Sequence, residues 1–490
     1  MTTPRSDHPR PSVGADGLIS PDHFRRLADR VLALSTGQHT FIAVQDTNTG
    51  TTRVANNQVV QNVTTRRMSL AVTVAFGQQH GTATVTDFGD ETIRDTVRRA
   101  TEIARLSPAD PEYMPPLPPQ EYATLVTMQG DTATAGPKHR LALAADVVDL
   151  CKAKGVTGAG IVTTSLSAIG VAANSGLCAY EPRTEARFSL TAMAGDSSGW
   201  AANVHRSLDR LGVAERARLA IDRAARSVNP KELPPGRYTV ILEPAAVAGL
   251  VGPMLWMLDA KSFYKRTSPF AGKLGRLVID QRLSLQNRPD HPGLIGNGFN
   301  GEGLAADERL WIVNGVLTQL RYDRFTAQEH HVYPTSALDA PCLSGTLLGR
   351  DLAAIPSLFG QDLAAQEAAG AEAAGAGSSA ARLGLAADTI DDLIRTTERG
   401  ILVTNFWYIR SVNPTDLTLT GMTRDGTFLI EDGRIAEPVM NFRWHDSPLR
   451  ALSQVEAFTA PADAVSNEGW KMQLPAMKIR DFNFSSVTRF

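Results

Sequence analysis

Cysteine is scarce in this sequence: Cys151, Cys178 and Cys342 are all that 490 residues contain. Three thiols cannot build a disulfide framework, and no C-x-x-C pair occurs, so zinc-ribbon and thioredoxin-type motifs are excluded. An excess of one charge is also missing. Lys and Arg number 49 against 51 Asp and Glu, for a net charge of -2, which supplies no strong pull toward nucleic acid or an anionic membrane. Long apolar runs are absent as well. The longest, Pro244–Leu258, is interrupted by Pro253 and falls short of the about 20 residues that span a bilayer. Residues 1–17 are polar and proline-rich, without the apolar centre of a signal peptide. A cytoplasmic, reducing setting with no membrane and no nucleic-acid partner is the expectation. What is present is ordinary for a globular chain: 43% hydrophobic and 20% charged residues exclude global disorder, and the length calls for two domains or more.

The pattern along the chain predicts an α+β protein. Ser20 and Pro21 suit the N-cap and first position of a helix in which Phe24, Leu27, Val31 and Leu34 share a face. Short strands are expected at Thr40–Val44 and Thr52–Val60, the latter carrying Asn56 and Asn57, and a clean alternation marks Ser69–Phe76. Helices follow at about Glu91–Leu106 and Lys138–Lys154, the second stopped by Gly155. A strand-rich stretch runs to Val204 and a helix over Val213–Arg226 closes this half. The Pro and Gly of Asn229–Gly236 interrupt both periodicities. This divides the chain into a flexible N-terminus (1–19), an N-terminal α/β domain (20–228) with a mainly antiparallel sheet flanked by helices, and a C-terminal β-rich domain (237–490) with a barrel-like or sandwich sheet. Asn314-Gly315 and Asp432-Gly433 each sit between short apolar runs, the signature of two-residue hairpins. Residues 364–381, built of Ala, Gly and a few polar residues, read as a low-complexity surface insertion.

Several motifs tempt and then fail on context. Gly195-Asp196-Ser197-Ser198-Gly199 matches G-x-S-x-G, but a nucleophile elbow needs a helix after the serine, and Trp200–Val204 reads as strand. A stand-alone hydrolase using Ser197 is the weaker alternative. Gly296–Gly301 matches G-x-G-x-x-G without the flanking strand and helix of a dinucleotide site. The ten histidines form no H-x-x-x-H or H-E-x-x-H pair. The most unusual composition is Asn405-Phe406-Trp407-Tyr408-Ile409-Arg410. Strand alternation there would put Phe406 and Tyr408 on one face and Trp407 and Ile409 on the other, so both faces require cover from core, partner or ligand. Asn405, Phe406, Trp407, Tyr408 and Arg410 are the candidate peptide or partner surface.

In order and spacing, several stretches resemble the TldD/PmbA (TldE) family. They are Arg53–Val59 with Gln61-Asn62, His80-Gly81-Thr82-Ala83, Ile103–Pro108, Asn174-Ser175-Gly176-Leu177, Thr267-Ser268-Pro269-Phe270-Ala271-Gly272, Glu302-Gly303 with Asn314-Gly315, and Thr427–Gly433. The resemblance covers nearly the whole chain. It implies a metallopeptidase architecture in which a helix before the Thr267–Gly272 element bears H-E-x-x-x-H and a late cysteine completes a zinc site. Two His and a Glu at that spacing would hold zinc and activate its water. Counting back from Phe270 puts Val251 and Trp256 at the His positions and Gly252 at the Glu position, and no cysteine follows Cys342. The departure resembles the metal-site-lacking TldE/PmbA-type subunit. The resemblance then implies no metal and no catalytic residue in this chain, zinc in a TldD-like partner subunit, a heterodimer acting on short or unfolded peptides, and a strand edge available to hold a peptide by β-augmentation. A stand-alone binding or interaction protein derived from that family, such as a homodimer, is the other reading.

Overall fold

A computed structural model describes residues 17–336, 338–345 and 387–488. The expected insertion at 364–381 lies outside the described residues, as does most of the expected flexible N-terminus. That terminus does not extend to residue 19, because Leu18 and Ile19 are buried and the Ile19 amide donates to the Asp46 carboxylate at 2.7 Å.

The first half contains helices α1 (Pro21–Leu34), α2 (Asp90–Leu106), α3 (Gly130–Ala133), α4 (Pro137–Ala153) and α5 (Val213–Arg226). Its strands are β1 (His39–Ala55), β2 (Gln58–Phe76), β3 (Gln79–Val85), β4 (Thr157–Ala173), β5 (Cys178–Ala194) and β6 (Ser197–His205). Local chemistry sets the helix starts. The Ser20 hydroxyl accepts from the His23 amide at α1, satisfying a donor that the first turn leaves orphaned. The six strands form one antiparallel sheet in the order β3-β2-β1-β4-β5-β6. That order is symmetric about the β1–β4 pair: helix, three strands, helix occurs twice. All four long helices cover one face. Residues of α1 and α2 pack on Ile42, Leu70, Val72 and Leu166, and residues of α4 and α5 on Val162, Phe188 and Leu190.

Two short strands expected near the start are one long hairpin instead. Asn56 and Asn57, expected inside a strand, are its turn, with φ of 52° and 56°; asparagine tolerates this left-handed region better than most residues. The middle of the hairpin is polar on both faces, so it lacks the apolar alternation that marks a strand.

The second half opens with β7 (Gly236–Leu242) and α6 (Pro244–Trp256) and continues through β8 (Leu283–Asn287), β9 (Arg309–Val313), β10 (Val316–Leu317) and β11 (Pro341–Gly345). Then come β12 (Arg399–Asn413), β13 (Thr418–Glu431), β14 (Arg434–Pro438), β15 (Phe442–Asp446), β16 (Val455–Phe458), β17 (Ala462–Val465), β18 (Lys471–Leu474) and β19 (Met477–Val487). Both expected hairpins form, with positive φ at Asn314, Gly315, Asp432 and Gly433. Strands β12, β7, β19, β15 and β13 pair in sequence, and β13 pairs back to β12, closing a five-stranded barrel. Strands β10-β9-β8-β11-β18-β17 form a separate sheet. The barrel interior and the space under α6 share one core that includes Leu242, Val403, Trp444, Phe482 and Met477. Fold class is therefore α+β, as the sequence pattern predicts, with the barrel resolved from the expected barrel-or-sandwich pair.

Candidate functional site

The run Asn405–Arg410 lies in the middle of β12, and its alternation breaks. The ladder to β13 passes from Trp407–Met422 directly to Arg410–Thr420, a bulge that leaves Tyr408 and Ile409 without cross-strand partners. Tyr408 has φ of 53°, a strained value for a bulky side chain. The extra residue resets the face pattern. Phe406 points into the barrel, 4.9 Å from the Trp444 ring and 5.6 Å from Phe482. Ile409 follows Phe406 to the same side, since both approach Gly249 of α6. Trp407 and Tyr408 are left exposed at 38% and 49%. The expected pairing of Phe406 with Tyr408 on one face is therefore corrected, and only one face requires cover.

Helix α6 is apolar all round and almost wholly buried, which is why it packs on the barrel without an amphipathic stripe. Glycine permits the close approach: a Cβ on Gly249 would lie 2.9 Å from Ile409 Cδ1 and 3.3 Å from Phe406 Cβ. Toward its C-terminal end the helix parts from β12 and a cleft of about 370 Å³ opens. Gly249, Gly252, Pro253 and Trp256 line it from the helix, Ile409 and Arg410 from β12, and Glu468 and Trp470 from the loop before β18. The Trp256 and Trp470 rings stand 5.0 Å apart.

The structure thus brings together residues from both sequence-derived sets, Gly252 and Trp256 from one and Arg410 from the other. It does not bring in Val251, which is fully buried in the core. The triple Val251, Gly252, Trp256 therefore does not converge on the cleft. Triples of the same spacing that do line it are Ala248, Gly249, Pro253 and Gly252, Pro253, Met257, and none carries an imidazole, thiolate or carboxylate. Glu468 is the one carboxylate of the lining, and the lining holds no His or Cys. Zinc takes nitrogen, sulfur and carboxylate donors, so this donor set does not fit the metal. Among the described residues no group of three or more His, Cys, Asp or Glu is arranged to hold a metal ion.

Asn405 and Phe406, expected at a surface, are buried. Asn405 acts as a strut instead. Its amide nitrogen donates to Asn467 Oδ1 at 3.3 Å, and Asn467 Nδ2 donates to the Phe406 carbonyl. These bonds pin the 466–470 turn, tightened by Gly469 at φ 86°, so that Trp470 reaches the cleft. Trp470 and Glu468 were not readable as site residues: they lie some distance along the chain in a loop without periodicity. The sole hint is the composition Asn467-Glu468-Gly469-Trp470, a turn followed by an aromatic.

The far side of that turn is a polar junction with the first half of the chain. Lys471 is buried between Asp463 at 2.7 Å and Asn203 Oδ1 at 2.7 Å, and burial pulls its ammonium down to about 8. Burial likewise pushes the Asp425 carboxyl up, against the hydroxyl of Ser198 donating at 2.7 Å. At the start of α6, burial raises the Glu243 carboxyl against the pull of Arg223, its ion-pair partner. Ser197 opens β6, and its hydroxyl donates to the carbonyls of Ala194 (2.8 Å) and Ala224 (2.6 Å). No helix follows it directly, so it is not held as a nucleophile. The Gly296–Gly301 stretch is a loop, as its flanks imply.

Family models match along most of the sequence. The PmbA/TldA metallopeptidase domain 1 matches residues 42–104, the central domain 131–228, and the C-terminal domain 235–350 and 359–486. The chain belongs to the TldD/PmbA metallopeptidase family. It is 24% identical over 276 residues to the metalloprotease PmbA of Escherichia coli O157:H7, covering 53% of this chain and 60% of that one. It is 26% identical over 184 residues to a metalloprotease of Methanothermobacter thermautotrophicus, covering 34% of this chain and 40% of that one. The alignments thus span 60% or less of either relative's length. The fold is shared with the crystal structure of TldE from Thermococcus kodakarensis, with a TM-score of 0.78 at 17% identity, covering 94% of this chain and 99% of that one. Within this TldD/PmbA fold the C-terminal family domain contributes α6, β12 and the 466–470 turn, so the whole cleft lies in it. Among the described residues no helix is long and apolar enough to cross a membrane.

Proposed function

We propose that the chain is the non-catalytic subunit of a TldD/TldE-like metallopeptidase complex. Its zinc-bearing partner, a TldD-type chain, supplies the metal and the catalytic Glu, and the pair hydrolyses short or unfolded peptides in the cytoplasm. The observation that carries this reading is the cleft lining supplied by α6 and the residue after it: Ala248, Gly249, Gly252, Pro253, Trp256 and Met257, with no His, Glu or Cys among them. Such side chains neither coordinate zinc nor take a proton from a metal-bound water. The family supports peptide hydrolysis as the shared activity, and the structural likeness to a protein named TldE supports the choice of subunit type. What remains for this chain is shape: a half-apolar cleft and an exposed strand beside it.

The test is reconstitution. The purified chain is expected to bind no stoichiometric zinc and to cleave no peptide alone, while mixing it with a homologue bearing H-E-x-x-x-H yields a stable heterodimer with zinc-dependent peptidase activity. Stoichiometric zinc together with peptidase activity in the isolated chain overturns the proposal, as does failure of any such homologue to associate.

A further inference from the structure

Strand β12 has two edges with different fates. One edge pairs with β13. The other pairs with β7 only over Ile401–Val403, and beyond Val403 no strand covers it among the described residues. At Phe406 the carbonyl is taken by Asn467. From Trp407 to Asn413 the strand overhangs the end of β7 while still paired with β13, and its side chains are exposed except at Ile409 and Asn413. Backbone amides and carbonyls on such an edge are a template for another extended chain.

The side chains around this overhang are not neutral. The Arg424 guanidinium sits 4.3 Å from the centre of the Trp407 ring, Trp407 and Tyr408 stand 5.5 Å apart, and the Arg410 guanidinium lies 4.2 Å from the centre of the Tyr408 ring. This is a ladder of two cations and two aromatic faces at the surface. Stacking on an aromatic face orients a guanidinium without consuming its charge. Arg410 makes no ion pair among the described residues and donates only to the carbonyl of Ile409. The nearest carboxylate to Arg424 is Asp425 at 4.0 Å, which is buried. Both cations therefore retain donors for an incoming carboxylate. The adjoining cleft, at the small end of ligand-pocket volumes, is walled by Ile409, Trp256 and Trp470 and floored by glycines, which suits one apolar side chain. Its own carboxylate, Glu468, keeps an acidic side chain out of the cleft and over the ladder.

We propose that the overhang of β12 is a docking edge for an extended acidic peptide, which pairs its backbone with the strand, sets a carboxylate on the Arg424–Trp407–Tyr408–Arg410 ladder, and inserts an apolar side chain into the cleft beside α6. The proposal rests on the reading of the chain as a peptide-handling subunit and names the peptide chemistry. A free strand edge favours peptide over single-stranded nucleic acid, which could also stack on an aromatic and arginine ladder.

The test uses the full chain without a partner and fluorescence anisotropy of labelled probes. An unstructured peptide of alternating Leu and Glu is expected to bind at least tenfold more tightly than its Leu and Lys counterpart. N-methylation of alternate backbone nitrogens is expected to weaken it at least tenfold. The R410E/R424E double variant is expected to invert the preference toward the Lys peptide, a gain that a misfolded protein would not show. Equal affinity for both peptides, indifference to N-methylation, an unchanged preference in the double variant, or no binding at all overturns the proposal. Preferential binding of oligothymidylate overturns it in favour of nucleic acid. Because no metal or partner enters this measurement, failure here leaves the subunit assignment standing, and failure of the reconstitution leaves the docking edge standing.

Discussion

The two halves of β12 form one strand with opposite environments. From Gly400 to Phe406 the strand is buried on both sides, paired with β7 and β13 and roofed by α6. From Trp407 onward it has lost β7, its ladder to β13 is bulged, and its aromatic rings face outward. Similar residue types serve in both halves. What an aromatic cluster does here is decided by where the neighbouring strand stops, and β7 stops after three paired residues.

The largest effect is expected at the boundary between the two halves. Phe406→Ala removes a ring from the barrel core and is expected to lower unfolding free energy by about 3–5 kcal/mol in chemical denaturation; a loss no larger than that of an exposed residue would show that the barrel does not depend on this half. Next comes the polar junction behind Trp470. Lys471 ionises near 8 when folded against an ordinary 10.5. Below pH 8 both folded and unfolded chains hold the proton, so the full burial penalty is present. Between pH 8 and 10.5 the unfolded chain holds a proton that the folded one has given up, so stability rises with pH. Relative to Lys471→Met, the native chain is expected to gain about 3 kcal/mol across that window, read from denaturation at each pH; parallel curves would refute a buried, depressed lysine. The two glycines of α6 sharpen the contrast further. A methyl at Gly249 meets Ile409 and Phe406, whereas at Gly252 the nearest atom is Met472 Cε at an ordinary 3.6 Å. Gly249→Ala is expected to cost roughly 1 kcal/mol by overpacking, and Gly252→Ala to gain about 0.5–1 kcal/mol from helix propensity. Shifts of the same sign would mean that the cleft is not open. The smallest effect falls on Trp407→Asp, expected to change stability by less than about 1 kcal/mol because the ring is exposed and touches only surface groups, the Arg424 guanidinium and the Tyr408 ring. A core-sized loss there would erase the distinction between the halves.

Much of the scaffold was legible in the sequence because its signals are local. Ser20 with Pro21, Gly155 after the fourth helix, and the Asn-Gly and Asp-Gly turns each specify a backbone conformation within a few residues. The β1–β2 hairpin was not legible at its true length, since Thr, Asn and Arg on both faces erase the alternation that apolar burial produces. At the cleft, the all-round apolarity of α6 announced a buried helix, and the Phe406–Ile409 run announced a crowded strand. Their meeting was invisible for two reasons. The bulge at Tyr408 uses a tyrosine in a left-handed conformation, which leaves no compositional trace as glycine would. Trp470 arrives through a loop held by Asn405 and Asn467, and such a strut has no periodicity. The degenerate positions Val251, Gly252 and Trp256 were visible only through family resemblance; the fold buries the first and sets the other two on the cleft.

Only the β7 side of β12 ends early. On its other side the strand keeps pairing with β13 as far as Asn413, and Trp407, Arg410 and Ser411 face Met422, Thr420 and Leu419, the same β13 residues that hold β15. The backbone of this stretch therefore belongs to the ring, while its outward side chains do not. Trp407, Tyr408, Arg410 and Val412 can be exchanged without removing a strand pair, so new specificity can be acquired there through side chains alone, at little risk to the rest of the fold.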